Sequence, residues 1–340
     1  MFKASTRSFA IALALVAAPA AQAQSPEEFY KGKTLNLIVS STPGGGYDSI
    51  ARIVAQHLQA HMPGRPAIAV QNMPGAAGLR AANTIYTVTE RNGLNVGVLQ
   101  LTTPFEPLIG NKNATFDATK FSWIGAPNVE SGVLVIWNSA PALSVNDLRQ
   151  KEILVGVENM TSSPAVYARA LAYALDLKFK LVSGYQGSAA VMIAMEKEEV
   201  HAFPQFHASL MANRPEWLRD KKATIAVRWG PKVPGSPANE PYAEDIVGDP
   251  RKAAVLKAVS ATLALGRPFA APPGVPADRL AALRKAFADT FRDPAFVTDA
   301  TRAGFVITPQ SGEQLAQLID DVYASPKEIF ETLKYVFTGE

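Results

Sequence analysis

Thr34-Leu-Asn-Leu-Ile-Val-Ser-Ser-Thr-Pro-Gly-Gly-Gly-Tyr-Asp48 is the stretch that decides the fold. Thr34 to Ser40 is aliphatic and β-branched, the composition of a buried strand. Ser41 to Asp48 then breaks the strand with a proline and three glycines, and Ile50, Ile53, Val54 and Leu58 follow at helical spacing. Outward from this unit the pattern repeats. Pro63-Gly-Arg-Pro66 stops the helix, Ile68-Ala-Val70 begins a second strand, and Asn72-Met-Pro-Gly-Ala-Ala-Gly78 turns into a helix over Leu79–Val88. Asn92-Gly93 is a turn before a third strand, Asn95–Leu99. Strand, loop and helix in repetition predict a parallel sheet wrapped by helices.

A second lobe is expected to open at Trp123-Ile-Gly125, with strands Val133–Trp137, Ile153–Val157, Phe179–Val182 and Val200–Phe203. Helices are expected at Val145–Gln150, after Pro164, and over Gly187–Glu198. Beyond the Pro/Gly-rich stretch 230–241 the pattern is helical, with helices expected over Lys252–Leu265, Ala277–Arg292, Pro294–Ala303, Ser311–Tyr323 and Ser325–Phe337, and this part is expected to return to the first lobe. The expected division is 24–122 plus about 231–340 for one lobe and 123–230 for the other. A chain of this length suits two cores rather than one. Two α/β lobes joined by crossing segments leave a cleft at the carboxyl ends of their strands, where open α/β sheets bind ligands.

Residues 1–23 read as a cleavable export signal. Lys3 and Arg7 give a basic start, Phe9–Ala18 an apolar run too short to span a bilayer, and Ala21-Gln22-Ala23 a small-x-small cleavage site. The chain has no cysteine, which removes disulfides, thiolate metal sites and cysteine nucleophiles. Cleavage after Ala23 removes two basic residues and leaves a formal charge of +1 in place of +3. That is no footprint for nucleic acid. These features point to a periplasmic protein, expected to act as a monomer.

The glycine loops carry the chemistry. Gly44, Gly45 and Gly46 allow close backbone approach and deliver amides to a helix start, where an anion is favoured. The loop is neither a P-loop nor a dinucleotide fingerprint: no Lys-Ser/Thr pair follows, and Ser49 stands where the third glycine belongs. Asn72 to Gly78 repeats the design at the next strand end, so both sets of amides open on one edge. Thr102 and Thr103 add hydroxyls there, and Thr161, Ser162 and Ser163 occupy the equivalent place in the second lobe, where they also read as N-caps. A micromolar ligand needs about 8 kcal/mol, and hydrogen bonds to a charged group contribute roughly 1.5–3 kcal/mol each. A handful of such donors around one carboxylate is adequate without a buried arginine.

Catalytic groups are scarce. His57 and His61 have a metal-compatible i, i+4 spacing but no third ligand, and read as structural. His201 and His207 belong to no recognisable triad, and no Gly-x-Ser-x-Gly elbow exists. No enzyme, metal or cofactor is expected. An enzyme using His201 or His207 as base and a sensor module for a membrane receptor stay as alternatives.

Several motifs in order resemble one family. Pro43-Gly-Gly-Gly-Tyr-Asp48 with Ala51-Arg52, Gln71-Asn-Met-Pro-Gly-Ala-Ala-Gly-Leu-Arg-Ala-Ala-Asn83, Tyr185-Gln-Gly-Ser-Ala-Ala190 and Pro272-Pro-Gly-Val-Pro276 are similar to those of tripartite tricarboxylate transporter receptors, the Bug proteins. The resemblance implies a two-lobe, type II periplasmic-binding-protein-like α/β fold, each lobe a mostly parallel sheet flanked by helices. It implies capture of a small organic carboxylate, a di- or tricarboxylate or an aromatic acid, for membrane transporter subunits. By it Ser41, Thr42, Pro43, Gly44, Gly45, Gly46, Tyr47 and Asp48, with Asn72, Pro74, Gly75, Ala76 and Ala77, form the carboxylate clamp. Thr102, Thr103, Thr161, Ser162, Ser163 and Gln205 would face the rest of the ligand. Two departures stand out. Tyr47 replaces a small hydroxyl residue, and His201-Ala-Phe-Pro-Gln205 replaces an Asp-Val-Met-Phe-Asp pattern. Loss of that second carboxylate implies an uncharged or anionic distal end rather than an amino group.

Overall fold

The computed structural model describes residues 24–44, 46–233 and 240–340; the expected export segment 1–23 and Gly45 lie outside the described residues. The chain enters through α1 (Pro26–Tyr30), fixed by a Ser25–Glu28 capping box, into β1 (Thr34–Val39). Then come α2 (Gly46–His61), β2 (Ala67–Asn72), α3 (Leu79–Thr87), β3 (Asn95–Val98) and β4 (Ser122–Ala126). β5 (Gly132–Trp137), α4 (Val145–Gln150), β6 (Ile153–Gly156), α5 (Ser163–Leu175), β7 (Phe179–Val182) and α6 (Ser188–Glu196) follow. Next are β8 (Ala202–Phe206), α7 (His207–Asn213), α8 (Pro215–Arg219), β9 (Ala223–Trp229), α9 (Ala243–Ile246) and α10 (Pro250–Leu265). The last elements are β10 (Phe269–Ala271), α11 (Ala277–Arg292), α12 (Pro294–Arg302), β11 (Gln310–Ser311), α13 (Gly312–Tyr323) and α14 (Phe330–Thr338).

Two sheets result, ordered β11-β4-β10-β3-β1-β2 and β7-β6-β8-β5-β9. The two-lobe α/β fold matches the expectation, with one correction of detail. Parallel pairing is confined to β2-β1-β3 and β7-β6-β8, and the remaining pairs of each sheet are antiparallel. The physical reason is connectivity. Strands that arrive from the other lobe, such as β5 and β10, have no crossover helix to turn them parallel.

The division along the chain also differs. Trp123-Ile-Gly125, expected in the second lobe, lies in β4 of the first sheet. The region after 231 does return through β10, α11, α12, β11 and α13, but α10 and α14 pack on α5 of the second lobe. Val255, Leu256, Ala258, Val259, Ala261, Thr262 and Leu263 bury nearly every face of α10. A helix apolar all round must be covered on all sides, so it sits between α5 and α13. The chain therefore crosses between lobes at 127–131, at 266–268 and between α13 and α14. One apolar cluster runs through both lobes along this side, and separate clusters fill the outer faces of the two sheets.

Arg169 of α5 fastens the last helix. It is buried, with Nε donating to Val336 O at 2.8 Å and Nη2 to Phe337 O at 3.1 Å. These are carbonyls that end a helix without intrahelical partners. Replacing Arg169 by Met is expected to cost about 2–3 kcal/mol in denaturant unfolding and to speed amide exchange across α14. Unchanged protection there would remove the fastening role.

Candidate functional site

In the first sheet the topology reverses between β1 and β3, and two of their trailing loops meet there. Gln100 Nε2 donates to Ser40 O at 3.3 Å, and the Leu101 amide donates to the Tyr47 hydroxyl at 3.0 Å. Desolvation pushes the Tyr47 phenol up to about 12, so it stays protonated at neutral pH.

Asp48 organises the glycine loop. It is buried, and its Oδ2 accepts from the Gly44 amide and from Arg52 Nε, both at 2.9 Å. Its Oδ1 accepts from Asn72 Nδ2 at 2.9 Å, and the same amide nitrogen donates to Ser41 O at 3.1 Å. Arg52 Nη2 closes the circle on Asn72 Oδ1 at 3.1 Å. The Arg52 hydrogen bond, helped by Gly44 and Asn72, holds the Asp48 carboxyl down at about 2. Asp48 and Asn72 thus tie the two expected clamp loops together through their side chains.

The second loop is strained. Gly75, Ala76, Ala77 and Gly78 have φ of 138°, 47°, 51° and 92°, four left-handed residues in a row. Two of them are alanines, each costing roughly 1–3 kcal/mol in that region. The Thr103 hydroxyl donates to Ala77 O at 3.1 Å, and a Cβ on Gly78 would lie 2.7 Å from that hydroxyl oxygen. Thr103 is fully buried and anchors the loop from beneath, while Ala76 and Ala77 are exposed.

Between the lobes a cavity of about 240 Å³ is lined by Gly46 and Ser49 at the start of α2, by Ser209 and Asn213 of α7, and by Glu130 and Arg267. Glu130 and Arg267 belong to two of the crossings and form an ion pair, with Asn128 Nδ2 also donating to Glu130 at 2.9 Å. The Arg267 guanidinium lies 4.8 Å from the Phe305 ring centre and 5.7 Å from that of Tyr47. These are cation–π distances.

Ser209 also lines a second cavity of about 340 Å³ in the second lobe, with Glu158, Asn159, Ser162, Ser163 and Gln205. It opens at the carboxyl ends of β6 and β8, which pair through Val155 and Ala202 alone. Asn159 Oδ1 accepts from the amide and hydroxyl of Thr161, both at 3.0 Å, and Ser162 Oγ donates to Asn159 O at 2.7 Å. The expected side-chain caps at Thr161 and Ser162 are thus turns around Asn159; Ser162, the N-cap of α5, makes no side-chain cap bond.

The expected residues are brought together in part. Gly46 lines the first cavity, and Ser162, Ser163 and Gln205 line the second. Ser41, Thr42, Pro43, Gly44, Tyr47, Asp48, Asn72, Pro74, Gly75, Ala76, Ala77, Thr102, Thr103 and Thr161 line neither. Glu130, Arg267, Ser209 and Glu158 line these cavities and were not among the expected residues. Glu158 had a signal, standing directly after a strand as the glycine loops do. Glu130 and Arg267 had none, since 136 intervening residues separate the partners. His57 and His61 bond Asp299 and Asp293 at 3.0 and 2.9 Å within the first lobe, and His201 Nδ1 accepts from the Leu154 amide at 3.0 Å.

No family model matches the chain, and no curated protein matches it. Solved structures do. A TctC solute-binding protein from Polaromonas is 18% identical, covering 89% of this chain and 98% of its own, with a TM-score of 0.70. MatC from Rhodopseudomonas palustris, solved with malate, is 17% identical, covering 89% and 99%, with a TM-score of 0.61. A second R. palustris protein, solved with adipate, is 17% identical, covering 90% and 97%, also at 0.61. Likeness at this identity shows the fold, the two-lobed α/β architecture that TctC and Bug-type solute-binding proteins share with this chain.

Proposed function

We propose that this protein is a periplasmic solute receptor of the tripartite tricarboxylate transporter type. It captures a small organic carboxylate by closing its lobes and hands it, as a monomer, to membrane transporter subunits. No bond in the ligand is broken. The observation that carries the reading is the four-residue left-handed run Gly75–Gly78, tied through Asn72 and Asp48 to the glycine-rich start of α2. Strain of this kind persists where the surroundings over-determine it, and it clusters at ligand clamps. A glycine-rich helix start beside it offers amides and a dipole to one anionic group. Two structural neighbours solved with malate and adipate support the ligand class.

The test is a thermal-shift panel on purified protein that has been unfolded and refolded to strip carried ligand. It compares C4 to C6 dicarboxylates, citrate, aromatic acids and acidic amino acids with neutral sugars. A ligand at 100 times its dissociation constant adds about 2.7 kcal/mol to stability. Shifts confined to organic acids are expected; a shift with sugars alone would refute the carboxylate clamp.

A further inference from the structure

The second-lobe cavity holds an acid and no base. Glu158 is half-buried at the carboxyl end of β6, and Ser188 Oγ donates to its Oε1 at 2.8 Å. Its Oε2 is inaccessible to water and takes no partner among the described residues. Gln205 lines the same cavity at 5% exposure, and neither its amide oxygen nor its amide nitrogen is partnered among the described residues. A buried amide with both ends unmade is costly unless something else supplies the bonds. Lys, Arg and His are absent from the residues lining this cavity.

We propose that the captured carboxylate carries a hydrogen-bond donor, an ammonium group by preference, at the end remote from the clamp, and that Glu158 and Gln205 receive it. The inference rests on the carboxylate reading above and narrows it. The substitution of Gln205 for an acidic residue suggested an uncharged or anionic distal end. An acid nevertheless lines the cavity: Glu158 stands just past the end of β6, while Gln205 lies in β8. Both acceptors are sealed from water, so the Glu158 carboxylate and the Gln205 amide must turn toward the cavity to receive the donor; the walls include Tyr167 and Phe206, aromatic surfaces compatible with a cation. A second carboxylate on the ligand would meet Glu158 as a like charge with no basic side chain to offset it. The start of α5 opens on the same cavity, and its dipole favours an anion. The comparison of amino and carboxylate ends therefore decides the matter.

The experiment is calorimetric titration of refolded protein with straight-chain C4 to C8 acids in three matched forms: ω-amino, ω-carboxy and ω-methyl. Wild type is expected to bind the best ω-amino acid roughly tenfold or more tighter than its ω-carboxy counterpart. Glu158→Gln should erase that preference by weakening ω-amino binding and tightening ω-carboxy binding, and Gln205→Met should reduce it. Unfolding midpoints check that both variants fold. Tighter ω-carboxy binding by wild type would overturn the inference while leaving carboxylate capture standing. A preference unchanged in both variants would overturn the assignment to these residues. Binding of neutral sugars and none of the acids would overturn the carboxylate reading and the inference with it.

Discussion

Gly266→Ala is expected to destabilise the protein by about 3–5 kcal/mol, a large effect for one methyl group. Gly266 caps α10 with φ 59° and ψ −120°, and an added Cβ would sit 1.8 Å from the Asn128 carbonyl oxygen. Neither side can yield by rotating a side chain, because the contact is backbone on backbone. It also falls where two interlobe crossings touch, beside the Glu130–Arg267 pair, so any backbone retreat must disturb the hinge. Gly110→Ala is the control. Gly110 has φ 75° but nothing within 4 Å of its Cβ position, so only the conformational cost of about 1 kcal/mol applies. Denaturant unfolding of the two variants checks this; equal losses would remove the hinge clash as the cause.

Asp48→Ala is expected to abolish measurable ligand binding, by roughly 100-fold or more, and to cost about 3 kcal/mol of stability. The carboxylate receives donors from both glycine-rich loops and from Arg52, so its loss leaves Gly44 and Asn72 without their shared acceptor. Asp48→Asn keeps one acceptor oxygen and should lie between. The pH dependence has a definite sign. The folded carboxyl titrates at about 2 against an ordinary 3.8, so the unfolded chain takes up this proton first. The contribution, about 2 kcal/mol, is complete above the unfolded value and is lost as pH falls from about 4 toward 2. Asp48→Asn should flatten the stability profile in that window. A profile as steep as wild type would reassign the acid sensitivity to other carboxylates.

What the sequence revealed and concealed follows from the range of the forces involved. β1, α2 and the loop between them were legible because strand propensity, glycine and helical periodicity are local. Helix ends were legible for the same reason. Ala277–Arg292 coincides with α11, and Pro294 opens α12 under an Asp293 cap. The antiparallel pairings were not legible, since β4 and β10, for example, pair across more than a hundred residues. Nor were the roles of Asp48 and Thr103. A side chain beside a glycine loop reads in sequence as a ligand contact, and only hydrogen-bond geometry shows that Asp48 and Thr103 also brace the loops. Gln205 was read as a change of charge at one position; that Glu158, from a different strand end, lines the same cavity is a tertiary fact that no local pattern carries.

The placement of α14 has a practical consequence. Tyr30, the last residue of α1, is bonded to Gly93 O in the first lobe, whereas Arg169 clasps α14 to the second. The two extremities of the described chain therefore ride on opposite jaws. Because the chain contains no cysteine, one introduced at exposed Glu27 and one at exposed Lys334 would accept a donor and an acceptor dye without background labelling. Energy transfer between them would report jaw movement in real time, from positions that line neither of the two cavities.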